Sequence, residues 1–151
     1  MKKRIVPILI AVLLIVTAAV AVWHLSTREQ YEAGGLTVRF GGTETVLKAD
    51  SLTKSEIHGE TVNGKGETSA IDAQGVALSE ALKAAGVDPA AVERIEVIAS
   101  DEYRAEVAGD ELREEGKVCL VLQDGGGFQM IVFGDPNSKR NVRDLVAVEV
   151  Q

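Results

Sequence analysis

The most chemically suggestive stretch of this 151-residue chain is a loop near its C-terminal end, residues 134–143. Its hydroxyl and basic side chains belong to Ser138, Lys139, Arg140 and Arg143. A glycine-containing loop with free N–H groups, a hydroxyl and basic side chains can bind an oxyanion. The loop therefore predicts an anion site. The alternative is a solvated charged loop whose cations balance the nearby Asp135 and Asp144.

Asp101 and Tyr103 form a second pair of candidates, because they follow an alternating apolar strand pattern at residues 94–99. They can line a pocket, which would lie between residues 98–104 and 134–143. A turn-forming aspartate and a half-buried tyrosine explain the same two residues equally well, so both interpretations stay open.

The ligand set for a metal is poor. The chain has two histidines, His24 and His58, and one cysteine, Cys119. Because His24 lies next to the apolar N-terminal segment, one histidine remains for the rest of the chain, too few for a metal site or a catalytic triad. Cys119 sits in an apolar run and is predicted to be a buried small hydrophobe. The sequence therefore predicts no catalytic residue and no metal ligand.

The N-terminal segment predicts export. A basic end at residues 1–4 precedes nineteen uncharged residues, 5–23, which as a helix would span about 28 Å, close to the hydrocarbon core of a bilayer. The positive-inside rule places the basic end in the cytoplasm and the remainder outside. We expect a single-pass anchor. Because residues 19–21 (AVA) fit a signal-peptidase site, a cleaved signal and a secreted domain are the alternative.

The remaining chain is acidic. When Lys2, Lys3 and Arg4 are left out, 13 of the 16 basic residues remain. With the 23 acidic residues they give a net charge of −10. Such a surface repels nucleic acid and anionic lipid headgroups, so neither is an expected partner. A linker at residues 24–35, ending in two glycines, is predicted to lead into one globular domain at residues 36–151.

Short strands dominate the predicted domain. Residues 36–40 and 43–47 alternate around Gly41-Gly42, a strong hairpin signal. Residues 76–85 carry one apolar stripe of helical spacing, and residues 118–122 read as a central strand. The predicted class is α+β, with a mixed, mostly antiparallel sheet and short helices.

Several stretches resemble the oxidoreductase molybdopterin-binding domain family, whose members include the sulfite oxidases. Residues 75–87 (GVALSEALKAAGV) are similar to that family's "GVPL, leucine, AGV" helix, and residues 97–103 (VIASDEY) to its strand leading to "DGY", with Glu102 in place of glycine. Residues 130–134 and 141–150 resemble the family's C-terminal loop and final strand. The likeness covers residues 75–150 well and 36–74 loosely, and it implies a sulfite oxidase-like fold.

The same resemblance implies a molybdopterin site. In the family, a basic residue near the loop at 134–143 helps hold the pterin phosphate, which makes the loop residues, with Asp101 and Tyr103, cofactor-binding candidates. The family's active enzymes bind molybdenum through a cysteine in an early segment, whereas no cysteine precedes Cys119 here. A soft thiolate has no chemical substitute in serine or alanine. The chain therefore departs from the family at its metal ligand.

These observations predict a membrane-anchored, extracytoplasmic and non-catalytic binding or interaction module. Its ligand would be a small anion or a partner protein, and no cofactor is expected. The alternative is a molybdopterin-dependent oxidoreductase, or a subunit of one, that retains cofactor binding. A sensor or assembly factor whose acidic face meets a basic partner is a third hypothesis.

Overall fold

The N-terminal segment forms a single helix, α1 (Lys2–Thr27), in a computed structural model that describes residues 2–27 and 29–151. Met1 of the predicted basic end and Arg28 of the predicted linker lie outside these residues. The stretch Val6–Thr27 is long and apolar enough to cross a membrane, and its side chains are exposed. The helix continues four residues past the predicted end of the anchor at residue 23, so the first part of the predicted linker is helical.

The second unit, Tyr31–Gln151, is built on a nine-stranded sheet. Its strands are β1 (Gly35–Phe40), β2 (Thr43–Lys48), β3 (Ser55–Val62), β4 (Thr68–Ala77), β5 (Arg94–Ala99), β6 (Arg104–Ala108), β7 (Val118–Leu122), β8 (Phe128–Val132) and β9 (Val142–Val150). Two short helices, α2 (Leu78–Ala84) and α3 (Gly109–Arg113), accompany the sheet. The predicted α+β class is confirmed.

Strand β9 joins the two halves of the sheet. It pairs antiparallel with β8 and β5, and parallel with β1. The other pairings are antiparallel, including the hairpin of β1 and β2, whose turn glycines Gly41 and Gly42 have φ of 57° and 81°. Only glycine adopts such angles without strain, which explains the hairpin signal in the sequence. The sheet is thus mixed and mostly antiparallel, as predicted.

The pairing of β4 is the main feature that sequence patterns did not predict. Over its last three residues β4 pairs with β7, whereas over Thr68–Gly75 it pairs with β3 in a two-stranded ribbon. Its sequence, TSAIDAQGVA, has few large apolar side chains, so neither alternation nor a hydrophobic run marks it as a strand. The predicted helix at 76–85 loses its first two residues to this strand.

Two apolar clusters lie on opposite faces of the β7–β8 pair. The larger contains Leu120, Met130 and the fully buried Phe128, together with the apolar side of α2. The smaller contains Cys119 and Ile131 and is covered by apolar side chains of the β3–β4 ribbon. Alternate residues of a strand point to opposite faces, so the continuous apolar run of β7 serves both clusters.

Candidate functional site

A cleft of about 400 Å³ opens at one end of β5 and β9. Because β5 and β9 run antiparallel, with Ala99 opposite Leu145, the end of β5 lies beside the beginning of β9. One wall is the turn between β5 and β6, and the other is the segment at the beginning of β9. The lining residues are Ala99, Ser100, Asp101, Tyr103, Asn141, Val142, Arg143 and Asp144. The cleft lies where the sequence placed the expected pocket.

The backbone of both walls adopts left-handed conformations. Glu102 has φ of 70° and Asp144 has φ of 48°, and they are the two non-glycine residues with positive φ in the described part of the chain. The β5–β9 register shifts between Ile98 and Ala99, where Val146 is the extra residue of β9. Beyond the shift, the Ser100 N–H donates to the Asp144 carbonyl at 2.9 Å. Irregular pairing of this kind redirects side chains at the edge of a site.

Tyr103 connects the two sides of the cleft. Its hydroxyl donates to the main-chain carbonyl of Lys139 at 2.7 Å, and its own N–H donates to Oδ1 of Asp101 at 3.0 Å. The sequence candidates at 101–103 and 138–140 are therefore in contact. The side chain of Tyr103 remains substantially exposed, at 48%.

Arg140 is held inside the fold by two carboxylates. Its Nη1 and Nη2 donate to the two carboxylate oxygens of Glu111 at 2.6 and 2.9 Å, its Nε donates to Asp135 at 2.7 Å, and Nη2 also contacts Asp135. The hydrogen bond from Arg140 holds the pKa of Glu111 below its ordinary value, and the same carboxylates raise the pKa of Arg140. Most donors of this guanidinium are thus committed to α3 and to its own loop.

The other loop candidates are differently placed. Ser138 is half-buried and begins a 3-10 turn, Ser138–Arg140, whose entry is capped by the side chain of Asn137. Lys139 is exposed, and among the described residues it forms no ion pair. Arg143 is exposed, lines the cleft, and likewise has no ion-pair partner within residues 2–27 and 29–151.

Asn141 adds a directed polar group to the same wall. Its Oδ1 accepts a hydrogen bond from the Val132 N–H at 3.0 Å, which fixes the side chain and leaves its amide nitrogen as a donor. Sequence analysis missed three polar lining residues, Ser100, Asn141 and Asp144. They are brought together by pairing between strands more than 40 residues apart, for which a local pattern gives no signal.

The residues suited to metal or redox chemistry lie elsewhere. Cys119 is 3% exposed in the smaller apolar cluster, its Sγ approaches the Gly116 carbonyl at 3.5 Å, and burial raises the pKa of its thiol. His58 lies on the exposed face of the ribbon, with Nδ1 at 2.9 Å from Asp72. Within the described residues no three histidine, cysteine or acidic side chains are grouped to hold a metal.

No family model matches this chain, and no curated protein is significantly similar to it. The resemblance to the molybdopterin-binding domain family therefore stays a prediction based on sequence motifs.

Proposed function

We propose that this chain is a membrane-anchored, extracytoplasmic and non-catalytic binding module, and that its ligand site is the cleft between residues 99–103 and 141–144. The ligand is a small anion, or an anionic group presented by a partner protein. The observation that carries the proposal is Arg143, an arginine without an ion pair among the described residues, in an open cleft beside the Asn141 amide and the Ser100 hydroxyl.

The cleft is a better candidate than the loop alone. Arg140 is one of the cations that the sequence singles out in the loop, but its donors already bind Glu111 and Asp135. A ligand would have to displace two carboxylates to reach it, whereas Arg143 presents a planar guanidinium that matches a carboxylate or phosphate without such a cost. We therefore centre the site on Arg143.

Binding is tested on the full-length chain in detergent, by calorimetry and thermal shift with phosphate, sulfate and acetate. We expect at least one of these anions to bind, and Arg143→Ala to weaken that binding at least tenfold. Lys65→Ala, which removes an equal charge from the exposed turn between β3 and β4, is the matched control and should bind normally. Equal binding by Arg143→Ala and the parent chain would contradict the proposal.

The anchor and its orientation need a separate test. Helix α1 supports membrane association by its length and apolar surface. Because Cys119 is buried, a cysteine introduced as Lys65→Cys provides a selective label. Intact cells are treated with a membrane-impermeant maleimide, and the carbonate-washed membrane fraction is then analysed. We expect the Lys65→Cys chain in that fraction to be labelled. Labelling only after lysis would refute the orientation, and labelled protein in the medium would indicate cleavage.

One geometric observation supports the resemblance to the molybdopterin-binding domain family. Glu102 replaces the glycine of that family's "DGY" motif, and its φ of 70° lies in the region that favours glycine. The same turn geometry would explain why the family has glycine at this position. In this chain the turn would be kept with a strained Glu102 in place of the glycine.

The residues present do not fit a thiolate-bound molybdenum. No cysteine lines the cleft, and Cys119 is enclosed by apolar side chains with a thiol whose pKa is raised. A protonated, enclosed thiol is a poor metal ligand. Elemental analysis of protein purified from its native host tests the non-catalytic part of the proposal. Stoichiometric molybdenum would overturn it in favour of the oxidoreductase alternative.

A further inference from the structure

Arg143 differs from every other arginine in the described part of Tyr31–Gln151. The five others form at least one ion pair each, namely Arg39, Arg94, Arg104, Arg113 and Arg140. Arg143 pairs with no described residue, although Asp101 and Asp144 line the same cleft. In a unit this rich in acidic residues, an arginine kept out of every ion pair leaves its charge available to a ligand.

The two carboxylates are equally available. One oxygen of Asp101 accepts the Tyr103 N–H at 3.0 Å, which orients the carboxylate and leaves its second oxygen uncommitted. The Asp144 side chain is exposed and forms no ion pair or hydrogen bond with a described residue. The strained backbone of Asp144, with φ of 48°, fixes the position from which this side chain projects.

The charges of these three side chains favour a zwitterion over a bare anion. Two carboxylates and one guanidinium give the lining a net negative charge, and the surrounding unit is strongly acidic. Arg143 attracts an anion, but Asp101 and Asp144 repel it and weaken its binding, whereas a ligand that also carries a cation is attracted by all three groups. The volume, about 400 Å³, is at the lower end of the range for small-molecule sites, about 300–1,000 Å³.

We propose that the cleft recognises a free amino acid or a closely related zwitterion, with its carboxylate on Arg143 and the Asn141 amide and its ammonium between Asp101 and Asp144. This inference rests on the proposed function and specifies its ligand class. The ring of Tyr103 lines the same cleft and offers a π-face to an alkylated ammonium. The hydroxyl of Ser100 is an additional hydrogen-bonding group on the same wall as Tyr103.

Calorimetry on the full-length chain in detergent tests the inference with a matched set: 4-aminobutyrate, butyrate and butylamine. Glycine and β-alanine extend the set to shorter separations between the charges. We expect at least one of the three zwitterions to bind ten times more tightly than butyrate and butylamine. If butyrate binds as tightly as every zwitterion, and this binding is lost in Arg143→Ala, the zwitterion inference is overturned and the anion site remains. No binding by the zwitterions, butyrate or the inorganic anions would overturn both.

Charge-removing variants with the same shape locate the ammonium site. Asp101→Asn preserves the side-chain oxygen that accepts from Tyr103, and Asp144→Asn places a residue that tolerates left-handed backbone at φ of 48°. We expect the double variant to lose the tenfold preference for the zwitterion over butyrate. Asp124→Asn, in the exposed turn between β7 and β8, is the control and should retain it. A preference that survives in the double variant would contradict the assignment of the ammonium.

Discussion

Arg140 and Arg143 are three residues apart, one at the end of the 3-10 turn and the other at the beginning of β9, and they differ in their ion pairs. Arg140 is 30% exposed and binds two carboxylates, one from α3 and one from its own loop. Arg143 is exposed beside two carboxylates and pairs with no described residue. The first cation therefore stabilises the loop, and the second is available to a ligand. A cluster of basic residues in a sequence can contain both ion-paired and ligand-accessible cations. They are distinguished by the residues that each cation contacts in the folded chain.

The largest expected effect comes from removing the paired arginine. Arg140→Ala leaves the carboxylates of Glu111 and Asp135 without their partner, and we expect the free energy of unfolding in urea to fall by about 2 kcal/mol. Arg143→Ala should change it by less than about 0.5 kcal/mol, as is usual for surface sites. Equal losses in the two variants would contradict the division of roles.

The ion pair of Arg140 also predicts a pH dependence. Arg140 lowers the pKa of Glu111 in the folded chain from its ordinary value of 4.5. A carboxyl whose folded pKa is depressed stabilises the fold above its unfolded pKa, and this stability is lost as the pH falls through the folded pKa. In urea titrations, the difference in stability between the parent chain and Arg140→Ala should therefore shrink below pH 4.5. A difference that is constant from pH 7 to 3 would show that Glu111 is not the partner that matters.

The hydrogen bond of the Tyr103 hydroxyl is expected to hold the segment 138–141 in place. Tyr103→Phe removes the hydrogen bond to the Lys139 carbonyl, and we expect a loss of about 0.5–1 kcal/mol. Hydrogen exchange should become faster at residues 138–141. Tyr31→Phe alters the other tyrosine of this unit and should leave exchange there unchanged, so acceleration in both variants would indicate a general loosening.

The smallest expected effect concerns the strained turn of the opposite wall. Glu102→Gly removes the strain of holding a non-glycine residue in the left-handed region, which costs the folded state about 1–2 kcal/mol. The greater conformational entropy of glycine in the unfolded chain cancels about 0.5–1 kcal/mol of this gain. We expect a net gain of about 0.5 kcal/mol. Glu115→Gly, at a position without positive φ, should be destabilising. A loss in Glu102→Gly as large as in this control would show that the backbone there carries no strain.

Much of the fold follows from local patterns. The glycine turn at 41–42, the apolar stripe of α2 and the continuous run of β7 each specify their element, because turn chemistry and burial act over a few residues. Strand β4 escaped prediction because much of it pairs with β3 alone and remains exposed, so it needs few apolar side chains.

Three residues that line the cleft, Asp101, Tyr103 and Arg143, were named from the sequence, whereas Ser100, Asn141 and Asp144 were not. The two segments of the cleft were identified from Asp101, Tyr103 and the basic loop. Arg140 binds Glu111, which is 29 residues away, and Ala99 pairs with Leu145. Both contacts depend on tertiary structure, so no local sequence pattern predicts them. The sequence therefore assigned Arg140 and Arg143 the same role, although the fold pairs Arg140 internally.

The central position of β9 has a consequence for biosynthesis. Its contacts with β1, β5 and β8 unite the two halves of the sheet, and its pairing with β1 joins residues about 110 positions apart. Contacts over such separations form slowly. A ribosome that has not yet released residues 142–150 therefore holds a chain that lacks its organising strand. The nascent polypeptide should remain open to chaperones until residues 142–150 have emerged, and it should acquire its sheet only afterwards.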